Sequence, residues 1–363
     1  MSTENPIRRV SAKGDPFSIG YALGQAAGAD IRERVFVTEE FRELANRWMN
    51  TDYLRVLEDA ARATYPDFVR EIEGIAAGAG QDFETAFLWN CRGDLRFPEN
   101  VSAETLLRSA SGCTSVMIPA SEGDGPAIIA HNEDGPPEFS GHCFWVSVTP
   151  DEGPSFESFM YPGMLPGHTF GVNSAGIVQT INNIRAHDLK PGVPRHVVCR
   201  AILASSKLDD AIDILKGNDR ASGFHHNLGQ AGSRRVVSVE APASGCQARE
   251  ITAPAAHANH LTAEMFANVP QLVTASSNDR QTRADSMIND GVLAKGEGPE
   301  AILFECGAPI YRANDDGDDY SQTLATGLFE LFADCVAWRI HATPDEWNSL
   351  DGTIKLDSAP CAS

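Results

Sequence analysis

The residues of this sequence best suited to covalent chemistry are Gly112 and Cys113, which come just before a short apolar segment at residues 116–118. Glycine tolerates strained backbone conformations, so the Cys113 thiol could reach the carbonyl carbon of Gly112. Rearrangement to a thioester and hydrolysis would cut the chain between the two residues. Cys113 would then carry a thiol and, in its new α-amine, a base. The alternative is a packed core cysteine, since free cysteine is among the most buried residue types.

The new amine would suit the role of a general base. A free α-amine has an ordinary pKa of about 7.7–8.0, close to the pH at which the enzyme would work. It could activate a thiol of ordinary pKa about 8.5, as an N-terminal amine activates threonine in related chemistry. The sequence therefore predicts a nucleophile and its base on one residue.

Polar side chains that could support the thiol end the second predicted strand after the cysteine. If the first two strands form a hairpin, this end returns to Cys113. Asp134 could then hold the ammonium or the thiol by a charge-assisted hydrogen bond, and Asn132 could donate a side-chain N–H. Plain turn chemistry is the alternative for these residues.

Three further candidates lie between residues 259 and 283. Asn259, between two histidines, could donate to an oxyanion, a contact worth roughly 2.7–4 kcal/mol. Arg280 and Arg283 lie three residues apart on one face of a predicted helix. They could bind a carboxylate or complete the site, or they could form a solvated basic face.

The elements that must position these residues change in character at residue 113. Before it, apolar residues recur at helical spacing, and the first helix begins at Asp15 with a capping aspartate followed by proline. After it, short apolar runs separated by glycine, proline and aspartate predict strands, interrupted by a helix pair at about 194–216. The order predicts two antiparallel sheets with helices outside them.

Composition limits the classes of function. The 363 residues can bury one large core or two smaller ones, and the net charge of −21 argues against binding to nucleic acid or to anionic membrane surfaces. We find neither a run long enough to span a bilayer nor a signal peptide. The eight cysteines form no Cys-x-x-Cys pair, so reduced thiols in a cytoplasmic protein are expected.

The ordered set of motifs resembles the acyl-coenzyme A:6-aminopenicillanic acid acyltransferase family. This family of N-terminal nucleophile hydrolases is peptidase C45-like and is related to the choloylglycine hydrolases. The motifs that carry the resemblance are Gly112-Cys113-Thr114-Ser115, Asn132-x-Asp134, Gly171-Val-Asn-Ser-Ala-Gly176 with Asn182 beyond it, Asn259-His260-Leu261 and Arg280-x-x-Arg283.

The resemblance implies an α+β fold, a four-layer αββα sandwich, that is cut at Gly112–Cys113. Residues 1–112 would be a mainly helical α segment, and residues 113–363 a β segment with the catalytic core. After cleavage the two fragments would stay together as one folded unit.

The resemblance also assigns roles to the candidate residues. Cys113 becomes the nucleophile, Asp134 positions its amine, Asn259 makes the oxyanion hole, and either Arg280 or Arg283 acts in the site. Thr114, Asn132 and Asn182 support them. The chain departs from the family at Glu133 and Gly135, where aromatic residues are common, and this departure bears on the substrate pocket.

The leading hypothesis is an amidase or acyltransferase for a small linear amide, with water as the favoured acceptor and no metal or cofactor. A metal-dependent hydrolase that uses His131, Glu133 and Asp134 is one alternative. The other is a non-catalytic binding protein on the same fold, in which Cys113 is structural. The acyl group, the amine and the oligomeric state stay open.

Overall fold

Helices precede the central cysteine, as the spacing of apolar residues predicts. The computed structural model describes residues 7–97, 112–121, 125–217, 219–295, 297–305, 309–313, 321–345 and 349–356. In α1 the Asp15 carboxylate accepts the Ser18 N–H at 2.7 Å, and Pro16 follows it in the first turn. The helices are α1 (Pro16–Asp30), α2 (Glu39–Trp48), α3 (Asp52–Thr64), α4 (Pro66–Ala79), α5 (Phe83–Asn90), α6 (Arg195–Leu203), α7 (Leu208–Lys216), α8 (Ala275–Asn289) and α9 (Glu300–Leu303).

The strands form two sheets. The first has the order β1-β4-β5-β6-β7-β8-β9-β10, and the second has the order β11-β2-β3-β12-β13-β14. Neighbouring strands are antiparallel except for β1 and β4. The strands are β1 (Arg8–Gly14), β2 (Cys113–Ile118), β3 (Ala127–Gly135), β4 (Phe144–Pro150), β5 (Phe156–Met160), β6 (Phe170–Asn173), β7 (Ile177–Asn183), β8 (Phe224–Gln230), β9 (Arg235–Ala241), β10 (Gln247–Glu250), β11 (Ala255–His257), β12 (Gln322–Leu331), β13 (Cys335–His341) and β14 (Ser349–Lys355).

The sheets pack face to face between two helical layers. Strands β2 and β3 of the second sheet contact β7 of the first. Helices α1, α6 and α7 cover the first sheet, with α4 packed on α1, whereas α8 and α9 cover the second. This arrangement confirms the predicted α+β class and the four-layer αββα sandwich.

Three strands, β1, β11 and β14, were missed at the sequence level. Strand β1 lies in the segment that the sequence predicts to be helical, and β14 follows the two strands predicted near the C-terminus. All three lie at the edge of a sheet, and β11 has only three residues. Strands β1 and β14 do alternate between more buried and exposed positions, but the buried positions of each include only two apolar side chains, so the signal is weak. Because β1 pairs with β4, the segments before and after residue 113 share one sheet. The division into two functional segments stays a prediction.

Candidate active site

The β2–β3 hairpin puts a carboxylate and an imidazole on the same face as the cysteine. Cys113 lies opposite Glu133, and Ser115 lies opposite His131. Side chains of directly opposed residues share one face of a sheet, so all four point together into the space between the two sheets. Each of them is buried.

Glu133 is the centre of this cluster. Its Oε2 lies 3.5 Å from Cys113 Sγ and 3.0 Å from His131 Nε2. Its Oε1 accepts a hydrogen bond from the Tyr161 hydroxyl at 2.5 Å. On the far side of the imidazole, Nδ1 lies 2.8 Å from Ser115 Oγ. The thiol therefore begins a continuous chain of hydrogen bonds.

The peptide bond between Gly112 and Cys113 is held at both of its polar atoms. The Asp134 backbone N–H donates to the Gly112 carbonyl at 2.9 Å. The Cys113 N–H donates to Asn259 Oδ1 at 2.7 Å. A Cβ atom on Gly112 would lie 2.1 Å from a guanidinium nitrogen of Arg280, so the close approach requires glycine here.

The two candidate arginines lie in different surroundings. Arg280 is fully buried and donates to the Cys113 carbonyl, to Thr114 Oγ1 at 3.0 Å and to Asn259 Oδ1 at 2.6 Å. Arg283 forms an ion pair with Glu305, and 42% of its side chain is exposed. One turn of α8 separates them, so only Arg280 contacts the residues around the thiol in this structure.

The amide of Asn259 has its oxygen toward the cysteine. Its Oδ1 accepts from the Cys113 N–H and from Arg280, whereas its Nδ2 donates to the Asn183 carbonyl at 2.9 Å. The three neighbours fix this orientation. The predicted oxyanion donor is therefore next to the nucleophile, but in the uncut chain it acts as an acceptor there.

The supporting residues divide between the two faces of the hairpin. Thr114 accepts from Arg280, and Asn182 Oδ1 accepts the Ser115 hydroxyl at 2.8 Å. Asn132 was expected to donate toward the thiol, but its Nδ2 donates to the Leu303 carbonyl at 2.7 Å. The expectation was wrong because alternate side chains of a strand point to opposite faces.

Burial dominates the electrostatics of the site. It raises the pKa of the Cys113 thiol well above its ordinary value, and the neighbouring Glu133 and Asp134 raise it further. Burial likewise raises the pKa of Asp134 to about 6. The Asp134 carboxylate accepts the Thr323 hydroxyl at 2.8 Å and lies 3.9 Å from Arg312 Nε. A buried thiol of this kind needs a neighbouring base to become nucleophilic.

A different trio from the one expected could hold a metal ion. Potential donor atoms of Cys113, His131 and Glu133 all lie within 4.8 Å of one another. Asp134, which the sequence grouped with His131 and Glu133, is outside this group because it points to the other face of β3. Sulfur, imidazole and carboxylate are donors that suit zinc, and the same set also suits proton transfer.

Sequence reasoning missed the contact between Glu133 and the thiol and the part played by Tyr161. It considered Glu133 as a metal ligand and as a departure from the family pattern that bears on the substrate pocket. Alternation groups residues 131 and 133 on one face of β3 and residues 132 and 134 on the other, but the register of the hairpin decides which pair lies beside Cys113. No local signal marks Tyr161, which comes from the other sheet.

A narrow cleft of about 60 Å³, partly open to solvent, has Cys113 in its lining. Its walls combine aromatic rings, neutral imidazoles and charges of both signs. Burial lowers the pKa of His168 to about 3, so its imidazole is neutral near pH 7. The lining residues include Glu40, Trp89, Arg92, Arg96, Glu133, Phe139, Tyr161, His168, Arg195, His196 and Phe224. The cleft can take a small molecule with polar and apolar parts.

Comparison with known proteins decides the family. The model of the acyl-coenzyme A:6-aminopenicillanic acid acyl-transferase family matches residues 120–345. The chain belongs to this family. The resemblance noted from the motifs is thereby confirmed, and so is the general prediction of an enzyme of the amide hydrolase and acyltransferase type with the N-terminal nucleophile fold.

Individual relatives are distant. The chain is 24% identical to the beta-alanyl-dopamine/carcinine hydrolase of Drosophila melanogaster, over 88% of this chain and 89% of that protein. It is 26% identical to the 40 kDa form of the acyl-coenzyme A:6-aminopenicillanic-acid-acyltransferase of Emericella nidulans, over 59% and 58%. A solved structure of a mutant conjugated bile acid hydrolase from Clostridium perfringens aligns with 10% identity, 69% and 99% coverage and a TM-score of 0.41.

A membrane-spanning helix is not found in the part of the chain that the structure describes.

Proposed function

We propose that this protein is a self-cleaving cysteine amidohydrolase that acts on small linear amides. The observation that carries the proposal is the Gly112–Cys113 peptide bond, whose carbonyl and N–H are each held by a hydrogen bond beside a buried thiol. Restraint of a peptide bond beside a thiol supports attack by that side chain, because it lowers the entropy cost of reaching the reactive geometry. Cleavage would free the Cys113 amine at the inner end of the cleft.

In the mature enzyme, the Cys113 thiol attacks the substrate carbonyl and the α-amine takes the thiol proton. Arg280 and Asn259 stay with the new N-terminus, where Asn259 Oδ1 accepts from the Cys113 amine. Asn259 Nδ2 exchanges the Asn183 carbonyl for the oxyanion, which it holds together with a backbone N–H. The amine leaves, and water hydrolyses the acyl thioester. Water is the favoured acceptor because a second amine would need a binding site of its own.

The substrate class is a small amide with one polar end. Membership of the family and the relative that hydrolyses beta-alanyl-dopamine and carcinine make β-alanyl amines suitable first substrates. N-acyl amino acids are a second group to test, because Arg92, Arg96 and Arg195 line the same cleft. The mature enzyme would consist of the two fragments of one chain.

Intact mass of the denatured protein tests the proposal. We expect two fragments, one ending at Gly112 and one beginning at Cys113, and a single uncut chain for Cys113→Ala. The Ala variant should also lose turnover of β-alanyl amines, since it lacks the nucleophile. An uncut Ala variant that remains active would contradict the proposal.

A metal-dependent hydrolase is the competing interpretation, because Cys113, His131 and Glu133 form a compact donor set. It predicts an uncut chain whose activity disappears after dialysis against a chelator and returns with zinc. The proposed mechanism predicts that activity survives the chelator. The two interpretations are therefore separated by one mass spectrum and one dialysis.

A further inference from the structure

The hydrogen bonds behind Cys113 fix the positions of their protons. Asn182 Nδ2 donates to the His257 carbonyl at 3.1 Å, so its Oδ1 is the atom that faces Ser115. An amide oxygen can only accept, and the Ser115 hydroxyl must therefore donate to it. The orientation of Asn182 thus determines which atom donates and which accepts in the other hydrogen bonds of the series.

His131 makes the next two hydrogen bonds, one to Ser115 and one to Glu133. Together they need one more proton than a neutral imidazole carries. Because the Ser115 hydrogen is used at Asn182, Ser115 Oγ accepts from His131 Nδ1. His131 Nε2 faces Glu133 Oε2 at 3.0 Å, and one of the two must carry another proton. The pair is either an imidazolium with a carboxylate or an imidazole with a carboxylic acid. Only the first of these forms leaves Glu133 Oε2 able to accept the proton of the Cys113 thiol.

The base of the mature enzyme does not exist before cleavage. In the uncut chain the Cys113 nitrogen is an amide, and its N–H donates to Asn259. An amide nitrogen is not basic, so another group must take the thiol proton. The carboxylate in hydrogen-bond contact with the sulfur is Glu133, at 3.5 Å. Tyr161 holds the other carboxylate oxygen and so keeps Oε2 directed at the sulfur.

We propose that Glu133 is the catalytic base of self-cleavage and acts from the imidazolium–carboxylate form of its pair with His131, in which Oε2 can take the thiol proton. The inference rests on the proposed self-cleavage. Asp134 contributes through its backbone N–H, which binds the oxygen of the carbonyl under attack. The residue types at positions 131 and 133 thus serve the uncut chain, before the α-amine is available.

The steps balance as follows. Sγ bonds to the Gly112 carbonyl carbon while the thiol proton passes to Glu133, and the negative charge on the oxygen is held by the Asp134 N–H. The bond from that carbon to the Cys113 nitrogen then breaks, and Glu133 returns the proton to the leaving amine. This step leaves a thioester between Gly112 and Cys113. Water adds to the thioester and releases the Gly112 carboxylic acid and the Cys113 thiol.

Glu133→Gln tests the proposal in the full-length chain. The amide keeps the size of the side chain and can still accept from Tyr161, but it cannot take the thiol proton. We expect cleavage, followed by intact mass against time, to slow by at least about 100-fold, in line with the usual contribution of a general base. Glu157→Gln is the matched control, because this strand glutamate accepts from Ser147 and lies outside the cleft.

The step that fails can also be identified. Hydroxylamine cuts thioesters but not peptide bonds under mild conditions, so E133Q should resist it if no thioester forms. Cutting of E133Q by hydroxylamine at Gly112–Cys113, or spontaneous cutting within about threefold of wild type, would overturn the role of Glu133. An uncut wild-type chain would instead overturn the proposed self-cleavage itself.

A folding defect is separated from a chemical one by unfolding curves. E133Q should unfold in a single transition like that of uncut Cys113→Ala. If it does not fold, Glu133→Asp replaces it, because the shorter side chain keeps the charge but withdraws the carboxylate from the sulfur. Cleavage of E133D should be slower by at least about tenfold, and an unchanged rate would refute the proposal.

Discussion

At the level of single residues, the site combines groups whose burial is unfavourable for stability. The Asp134 carboxyl is enclosed on β3, and burial raises its pKa from 3.8 to about 6. An acid whose pKa is raised by folding holds its proton more tightly in the folded state than in the unfolded chain. Below about pH 4, the raised pKa of Asp134 therefore costs almost no stability. The loss in the free energy of unfolding grows as the pH rises from about 4 to about 6, and it stays at its full value at higher pH.

Asp134→Asn should consequently stabilise the chain near neutral pH. A shift of about two pKa units corresponds to about 3 kcal/mol, which sets an upper limit on the gain at pH 7, and the gain should vanish near pH 4. Urea unfolding at both pH values, in a Cys113→Ala background that keeps every chain uncut, measures it. Exposed Asp59→Asn on α3 is the control. A gain that is equal at both pH values would show that the Asp134 charge is not its cause.

The same residue illustrates what sequence can and cannot give. The residue types around Cys113 indicated the chemistry, and Asn259, which follows β11, lies beside Cys113 as expected. The hairpin brings the backbone N–H of Asp134 to Gly112, but the Asp134 carboxylate, expected to hold the thiol or amine, points to the other face of β3 and accepts from Thr323. The side of the strand on which each group lies depends on pairing register. The register of Cys113 with Glu133 is set by tertiary packing and assigns the thiol contact to Glu133. Tyr161 lies on the other sheet, so no local pattern could place it there.

At the level of elements, helices α1 and α4 approach so closely that they need glycine. A Cβ on Gly24 would lie 2.2 Å from the Ile75 carbonyl oxygen, which belongs to the backbone and cannot rotate away. One turn further along α1, a Cβ on Gly28 would meet its nearest atom, Ala79 Cα, at 3.4 Å. Both glycines have a helical backbone, but only Gly28 has room for an added Cβ atom.

Gly24→Ala and Gly28→Ala should change stability in opposite directions. Overpacking costs typically about 1–3 kcal/mol, so Gly24→Ala should lower the free energy of unfolding despite its better helix propensity. Gly28→Ala should raise it by up to about 1 kcal/mol, because alanine is the better helix former and little has to move. Thermal unfolding of the two variants in the Cys113→Ala background compares them. Equal effects would contradict the close approach of α1 and α4.

Sequence periodicity predicted these helices and the strands that carry the site, because each has a buried face. Helix α1 begins at its capping aspartate, and α4 ends before Gly80, whose φ of +72° belongs to the left-handed region that favours glycine. Strands β1 and β14 escaped prediction because each alternates over only two apolar side chains, and β11 because it has only three residues. Local signals therefore fixed elements with a strong pattern and missed those that depend on a neighbouring strand.

At the level of the whole molecule, the surface and the cleft carry different charge. The net charge of −21 makes the distant field negative. Inside the cleft, Arg96 forms an ion pair with Glu40. Burial lowers the pKa of Arg195 to about 10, so this arginine is still charged at neutral pH. Long-range attraction should therefore favour cations, while contacts inside the cleft can also receive an anion.

Salt should separate these two influences. For a cationic β-alanyl amine, kcat/KM should fall severalfold between about 10 mM and 1 M NaCl, because the Debye length shrinks from about 30 Å to about 3 Å. The same amide with its amine acetylated is neutral and should change little, which makes it the matched substrate. An equal fall in kcat/KM for both substrates would mean that salt acts on the enzyme and not on the encounter.

A rise in kcat/KM for the cationic substrate would mean that repulsion by arginines such as Arg92 and Arg195 outweighs attraction to the acidic surface. Anionic N-acyl amino acids would then be the better substrates to test.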